Sequence, residues 1–268
     1  MSSNLATREY RASNGIFYRV VGNGAPLLLL HGLMASGAMF GPLVELLQGR
    51  FRMLIPDLRG HGKSGDLPGP YDVPALAADL DLVMTASGFE QAAVLGYSHG
   101  GPIALQLAHT RPNNVSKLML VCTYARNTGT LRERIEGNAF LALLALFSPG
   151  TLANLLVQPS KPKSKGAVGL TRQQAVWLRT LMATNHSGPM RGAVRGMIAF
   201  DGRAWLKELR VPTLVVGGTH DTAVPRYHFD TLVSGIPAAC GRLVERAGHT
   251  LMWTHTRELA EIIRVQWQ

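Results

Sequence analysis

The residues best suited to chemistry form the stretch Gly96-Tyr97-Ser98-His99-Gly100-Gly101. The apolar run Ala92–Leu95 precedes it and the helix-like Pro102–Ala108 follows. A serine on a sharp strand-to-helix turn has a strained backbone, and its neighbours two places away must be small. Gly96 and Gly100 meet that demand. The turn aims Ser98 Oγ into a cleft and leaves the His99 N–H at a helix N-terminus, free to stabilise an oxyanion. The chemistry implied is nucleophilic attack on an acyl carbon, which a serine performs only beside a base.

Nine histidines compete for the role of base. His249, in Ala247-Gly248-His249-Thr250, follows the last strand-like run and so falls at a strand's C-terminal end, where parallel sheets bind ligands. His220 is the nearest rival, but it adjoins the candidate acid, and adjacent residues on one turn rarely face each other. The side chain of His99 should point away from Ser98 Oγ. Asp221 follows the buried run Leu214–Val216 and is placed to accept the imidazole Nδ1–H, fixing the tautomer. An isolated aspartate there could equally be a turn or helix cap; the chain order Ser, Asp, His favours the acid. Asp57, in Pro56-Asp57-Leu-Arg-Gly-His-Gly-Lys-Ser64, reads as a loop organiser. His31-Gly32-Leu33 directly follows Leu27–Leu30, where a neighbouring loop must supply a second oxyanion donor; the Leu33 amide is the candidate, with His31 mostly structural.

The elements that must position these residues are short apolar runs separated by helix-like stretches: Phe17–Val21, Leu27–Leu30, Met53–Ile55, Ala92–Leu95, Leu118–Val121, Leu214–Val216 and Arg242–Glu245. Near-continuous Leu, Val and Ile mark strands buried on both faces, as in a largely parallel α/β sheet. Asn14-Gly15, between Arg8–Ala12 and Ile16–Val21, predicts an antiparallel hairpin at its start. The alternation fails after Thr123 and resumes near Val211. Residues 1–123 and 201–268 are therefore read as an α/β core and 124–200 as a helical insertion, interrupted by the loop around Lys161, Lys163 and Lys165.

The formal charge of the 268-residue chain is +10. Ten Lys and Arg against two Glu lie between Tyr124 and Phe200, so one segment carries most of the excess, and no nucleic-acid partner is inferred. The three lysines read as a solvated loop. Arg191 and Arg195, spaced i, i+4 on a probable helix, share one face, and one of them is expected to pair with a substrate carboxylate. The partner expected is thus a small acyl substrate, anionic if an arginine meets it. The polar N-terminus lacks the apolar stretch of a secretory signal, and Ala139–Phe147 is far short of the ~18 residues a membrane span needs. Cys122 and Cys240 read as two reduced thiols of a cytoplasmic protein. No metal-ligand spacing or phosphate loop is visible, so no cofactor is expected.

At these residues the chain resembles the α/β-hydrolase superfamily. The resemblance spans nearly the whole length and rests on His31-Gly32, the segment Asp57 to Ser64, the turn at Ser98, Val211-Pro212 leading to Gly217-Gly-Thr-His-Asp221, and Gly248-His249. It implies a mostly parallel eight-stranded sheet flanked by helices, with a helical cap inserted after the sixth strand. It also implies a catalytic triad of Ser98, Asp221 and His249, with oxyanion donors at Leu33 and His99. Within the superfamily the chain is similar to capped bacterial 3-oxoadipate enol-lactonases, carbon–carbon bond hydrolases of ring-cleavage products and haloperoxidase-type esterases. Ester or lactone hydrolysis is the expected reaction. Carbon–carbon cleavage of a β-diketone-like substrate, or a ligand sensor that keeps the fold without turnover, are the alternatives.

Overall fold

In the computed structural model residues 7–159, 166 and 168–266 are described; Lys161, Lys163 and Lys165 lie outside them. Eight strands form one sheet: β1 (Arg8–Arg11), β2 (Phe17–Val21), β3 (Ala25–Leu30), β4 (Phe51–Pro56), β5 (Ala92–Tyr97), β6 (Val115–Val121), β7 (Thr213–Gly218) and β8 (Ala239–Val244). Their order is β1-β2-β4-β3-β5-β6-β7-β8. The hairpin β1–β2 pairs Arg8 with Val20, and β2 pairs antiparallel with β4; every other pairing is parallel. The outermost strand starts earlier than its apolar run suggests: Ala239, Cys240 and Gly241 are half-buried or exposed at the sheet edge, and an edge strand has no need of a continuous apolar run.

Alternate side chains of the strands build two cores. Leu28, Leu30, Val94 and Leu120 face α2 (Val73–Ser87), α3 (Gly100–Thr110) and α8 (Arg226–Gly235). Leu27, Leu29, Leu95 and Val121 face α1 (Gly41–Leu47) and α10 (Thr256–Gln266), with the short α9 (Leu251–Thr254) beside them. Leu27 to Leu30 are all fully buried, each contributing about 1.5–3 kcal/mol. The central strands therefore hold the loops at their C-terminal ends rigidly.

Among the described residues between β6 and β7 stand four α-helices: α4 (Leu131–Leu146), α5 (Pro149–Leu156), α6 (Arg172–Ala183) and α7 (Ser187–Ala199). Thr130 and Thr171 start α4 and α6 with capping boxes, each closed by the side chain three residues on, Glu133 or Gln174. Leu144, Leu152, Met190 and Val194 of these helices pack on Met34, next to Leu33. Among the described residues no helix is long and apolar enough to cross a membrane.

Candidate active site

Ser98 stands between β5 and α3 with φ of +52°, the left-handed region that side chains rarely adopt. Hydrogen bonds hold it there. Its N–H donates to Val121 O at 3.0 Å, and its carbonyl accepts from Thr123 Oγ1 at 2.6 Å. The turn also packs too tightly for side chains beside it: a Cβ on Gly96 would lie 2.5 Å from Gly100 O, and one on Gly100 would lie 2.3 Å from Leu30 O.

The loops after β7 and β8 bring the histidine and the carboxylate to this serine. His249 Nε2 is 3.1 Å from Ser98 Oγ, and His249 Nδ1 is 2.9 Å from Asp221 Oδ2. The other carboxylate oxygen of Asp221 accepts the N–H groups of Ala223 and Val224, both at 2.9 Å. Burial pushes the Asp221 carboxyl up, but the neighbouring His249 and these two amides outweigh it and hold it below the usual carboxylate range. Asp221 is thus an anion whose two oxygens are aimed, and it keeps the Nδ1 proton of His249 in place, leaving Nε2 to accept from Ser98. The Tyr97 hydroxyl donates to His249 O at 2.8 Å and fixes the loop. Behind the pair, the buried Cys122 thiol bonds to Asp221, and burial followed by the Asp221 charge raises it well above its usual value. Cys122, Asp221 and His249 have potential ligand atoms within 4.8 Å of one another, but these atoms are engaged in the hydrogen bonds just described.

Two backbone N–H groups complete the geometry. Those of Leu33 and His99 have no acceptor among the described residues, and Leu33 borders the same cavity as Ser98. His31 orients the first of them. Its Nε2 accepts the Leu58 N–H at 2.9 Å, so its proton is on Nδ1, which donates to Gly32 O at 2.9 Å. In a trans peptide the C=O and N–H point opposite ways, so drawing the Gly32 carbonyl toward His31 turns the Leu33 N–H away from it. If the Leu33 amide serves as an oxyanion donor, His31→Phe is expected to lower kcat roughly 10–100-fold with little change in KM, because misaiming such a donor weakens only the transition state. Steady-state kinetics beside a thermal melt would check this; an unchanged kcat in a folded variant refutes the role.

A cavity of about 460 Å³ opens onto Ser98 and His249. Leu155, Leu156 and Val157 from the end of α5, Leu178, Leu181 and Met182 from α6, and Trp253 line it; His220, Thr222, Thr250 and Gln158 are among its few polar side chains. No Lys, Arg, Asp or Glu side chain lines it among the described residues.

The family profile for the alpha/beta hydrolase fold matches residues 25–256. The chain belongs to that family. It is 31% identical, over 84% of its length and 84% of the relative's, to a protein of Azorhizobium caulinodans assigned as the carbamate hydrolase RutD. It is 30% identical, over 91% of its length and 95% of the relative's, to a pimeloyl-[acyl-carrier protein] methyl ester esterase of Aeromonas salmonicida. Its fold is like that of an esterase from Exiguobacterium antarcticum, with a TM-score of 0.86 at 23% identity over 97% of this chain and 99% of the other.

In this α/β-hydrolase-fold protein the structure separates residues that periodicity had grouped. Arg191 and Arg195 do not line the cavity: Arg191 reaches Leu144 O at 3.4 Å, and Arg195 is exposed. Their helix, α7, turns Met190, Ala193 and Val194 inward, which leaves positions 191 and 195 on its flank. The expected carboxylate contact is therefore corrected. His220 Nδ1 bonds to Thr219 Oγ1 instead of facing Asp221. Asp57 accepts the N–H groups of Gly37 at 2.7 Å and Lys63 at 2.8 Å, the role of a loop organiser. Asn185, after α6, was not singled out by its sequence context. It donates to Met34 O at 2.8 Å and accepts from Gly62 N–H at 3.3 Å, joining the inserted helices to the loop that bears Leu33.

Proposed function

We propose that the protein is a serine hydrolase cleaving carboxylic esters or lactones whose acyl group is neutral and apolar. The observation that carries this reading is the hydrogen-bonded line Asp221–His249–Ser98 ending at an apolar cavity, beside two amides that have no acceptor among the described residues. His249 Nε2 takes the Ser98 proton as Oγ attacks the acyl carbon, and the Leu33 and His99 amides receive the charge on the carbonyl oxygen. The histidine then passes that proton to the leaving alkoxide. Water, deprotonated by the same Nε2, attacks the acyl-enzyme and releases the acid. The esterase and hydrolase names of the relatives support this class of reaction. Carbon–carbon cleavage of a ring-cleavage product is less favoured, since among the described residues no Lys or Arg lines the cavity to hold an acidic tail.

A series of p-nitrophenyl esters tests the reading. A neutral hexanoate should exceed an adipate half-ester of matched length by roughly 100-fold in kcat/KM, because burying an unpaired carboxylate costs about 3 kcal/mol or more. An alkyl fluorophosphonate should label the peptide that contains Ser98. Equal turnover of the two esters would reject the acyl preference, and labelling elsewhere would reject the nucleophile.

A further inference from the structure

The outward face of α4 is apolar over four turns but for Asn138, the reverse of an ordinary surface helix. Leu131, Ile135, Asn138, Ala139, Ala142 and Leu146 fall within an arc of about 100°. All six are exposed, Leu131 by 71%, Ile135 by 60% and Leu146 by 75%. The opposite side is already engaged: Gly137 and Leu144 are buried, and the helix packs on α7. Its N-terminal turn is clamped to the rest of the fold, where Glu133 accepts from the Tyr227 hydroxyl and from His228 Nε2 at the start of α8. The stripe is therefore displayed on a fixed element.

Two further features say what covers it. The positions of the stripe are symmetric about the point between Asn138 and Ala139: Leu131 corresponds to Leu146, Ile135 to Ala142 and Asn138 to Ala139. Two copies laid antiparallel on a two-fold axis there would set leucine against leucine at the ends. Ile135 would fall over the small Ala142 of the second copy, and short side chains would meet where the backbones come closest. The charges are segregated to match. Arg132, Glu133, Arg134 and Glu136 lie in the first half of the helix, while Ala139 to Phe147 carry no charge. Antiparallel packing sets the charged first half of each copy beside the uncharged second half of the other, so the charged turns do not meet. A parallel pair would set the two charged halves side by side.

We propose that this chain forms an isologous dimer in which α4 packs antiparallel against α4 of a second copy. One helix pair is at the small end of stable interfaces, so the dimer should dissociate on dilution. Sedimentation velocity at 2 and 200 µM, in 20 and 500 mM NaCl, tests it. The expected result is a dimer at the higher concentration that salt strengthens, because an apolar seam joins two chains of formal charge +10. Leu146→Glu and Ile135→Glu should each leave a folded monomer by circular dichroism, while the charge control Arg257→Glu should not. In a Cys240→Ser background, oxidation should cross-link Asn138→Cys, beside the axis, but not Leu131→Cys. A monomer at 200 µM, or a dimer indifferent to both glutamates, would overturn the proposal. So would a solution monomer that binds phosphatidylglycerol vesicles through Leu146 and is released by salt, since the face would then serve an anionic bilayer.

Discussion

Ser98→Ala is expected to lower kcat for ester hydrolysis by roughly 10⁴- to 10⁶-fold without loss of fold, and His249→Ala by a similar factor. The argument is geometric. Serine oxygen is a poor nucleophile until Nε2, at 3.1 Å, accepts its proton, and without Oγ no acyl-enzyme forms. Asp221→Asn should cost somewhat less, because an amide can keep the Ala223 and Val224 contacts yet offers no anion to the imidazolium. The double variant Ser98→Ala/His249→Ala should be no slower than either single one, since the two act as a unit. Steady-state rates on a neutral ester, with urea melts to confirm folding, decide the matter. Near-full activity in Asp221→Asn would remove the carboxylate from the mechanism.

The second large effect is on stability in acid. His31, His61 and His99 are wholly buried and lie near one another, the first two with ring centroids 5.1 Å apart. Burial above all pushes His31 down to about 4, against the opposing bond to Gly32, and pushes His61 and His99 down to about 3, with a neighbouring histidine adding to each. Neither ring nitrogen of His99 has a hydrogen-bond partner among the described residues, so nothing there compensates a charge. In the unfolded chain all three bind protons near 6.5. Between pH 6.5 and about 4 the unfolded state therefore takes up protons that the native state refuses, and stability falls as pH falls. Each histidine contributes about 1.4 kcal/mol per pH unit to that slope, about 4 together. Asp57 works against it, because burial raises its carboxyl and lets the native state hold a proton that the unfolded chain loses first.

With a total stability of ~5–15 kcal/mol, two to three pH units are enough to unfold the domain. Urea midpoints measured from pH 7.5 to 4.5 should drop steeply below pH 6.5. His99→Leu should lessen the slope by about one third, and it should not destabilise at neutral pH, because an apolar side chain replaces an unpaired polar one. A midpoint constant from pH 7 to 5 would show that these histidines are solvated or paired in solution.

Much of this architecture is local and was open to reading from the chain alone. Apolar runs of strand length, Asn14-Gly15 at the hairpin and the small residues around Ser98 each reflect constraints felt within a few residues: pleat, turn conformation and steric clearance. The same is true of Asp221 and His249 taken singly, since each lies on the loop that follows a strand. Their meeting is another matter. Ser98 and His249 are 151 residues apart, and they touch because the sheet order sets β7 and β8 beyond β6 with the strand ends level. Only packing decides which side of α7 turns inward, so Arg191 and Arg195 could be assigned a common face but not its direction. Asn185 and Tyr97 act through backbone atoms of distant loops, and no residue type or spacing announces such a bond. The mostly apolar lining of the cavity is likewise a property of separate segments brought together. Periodicity determines what faces what within an element; the order and docking of the elements, set by burial of the whole core, determine what those faces meet.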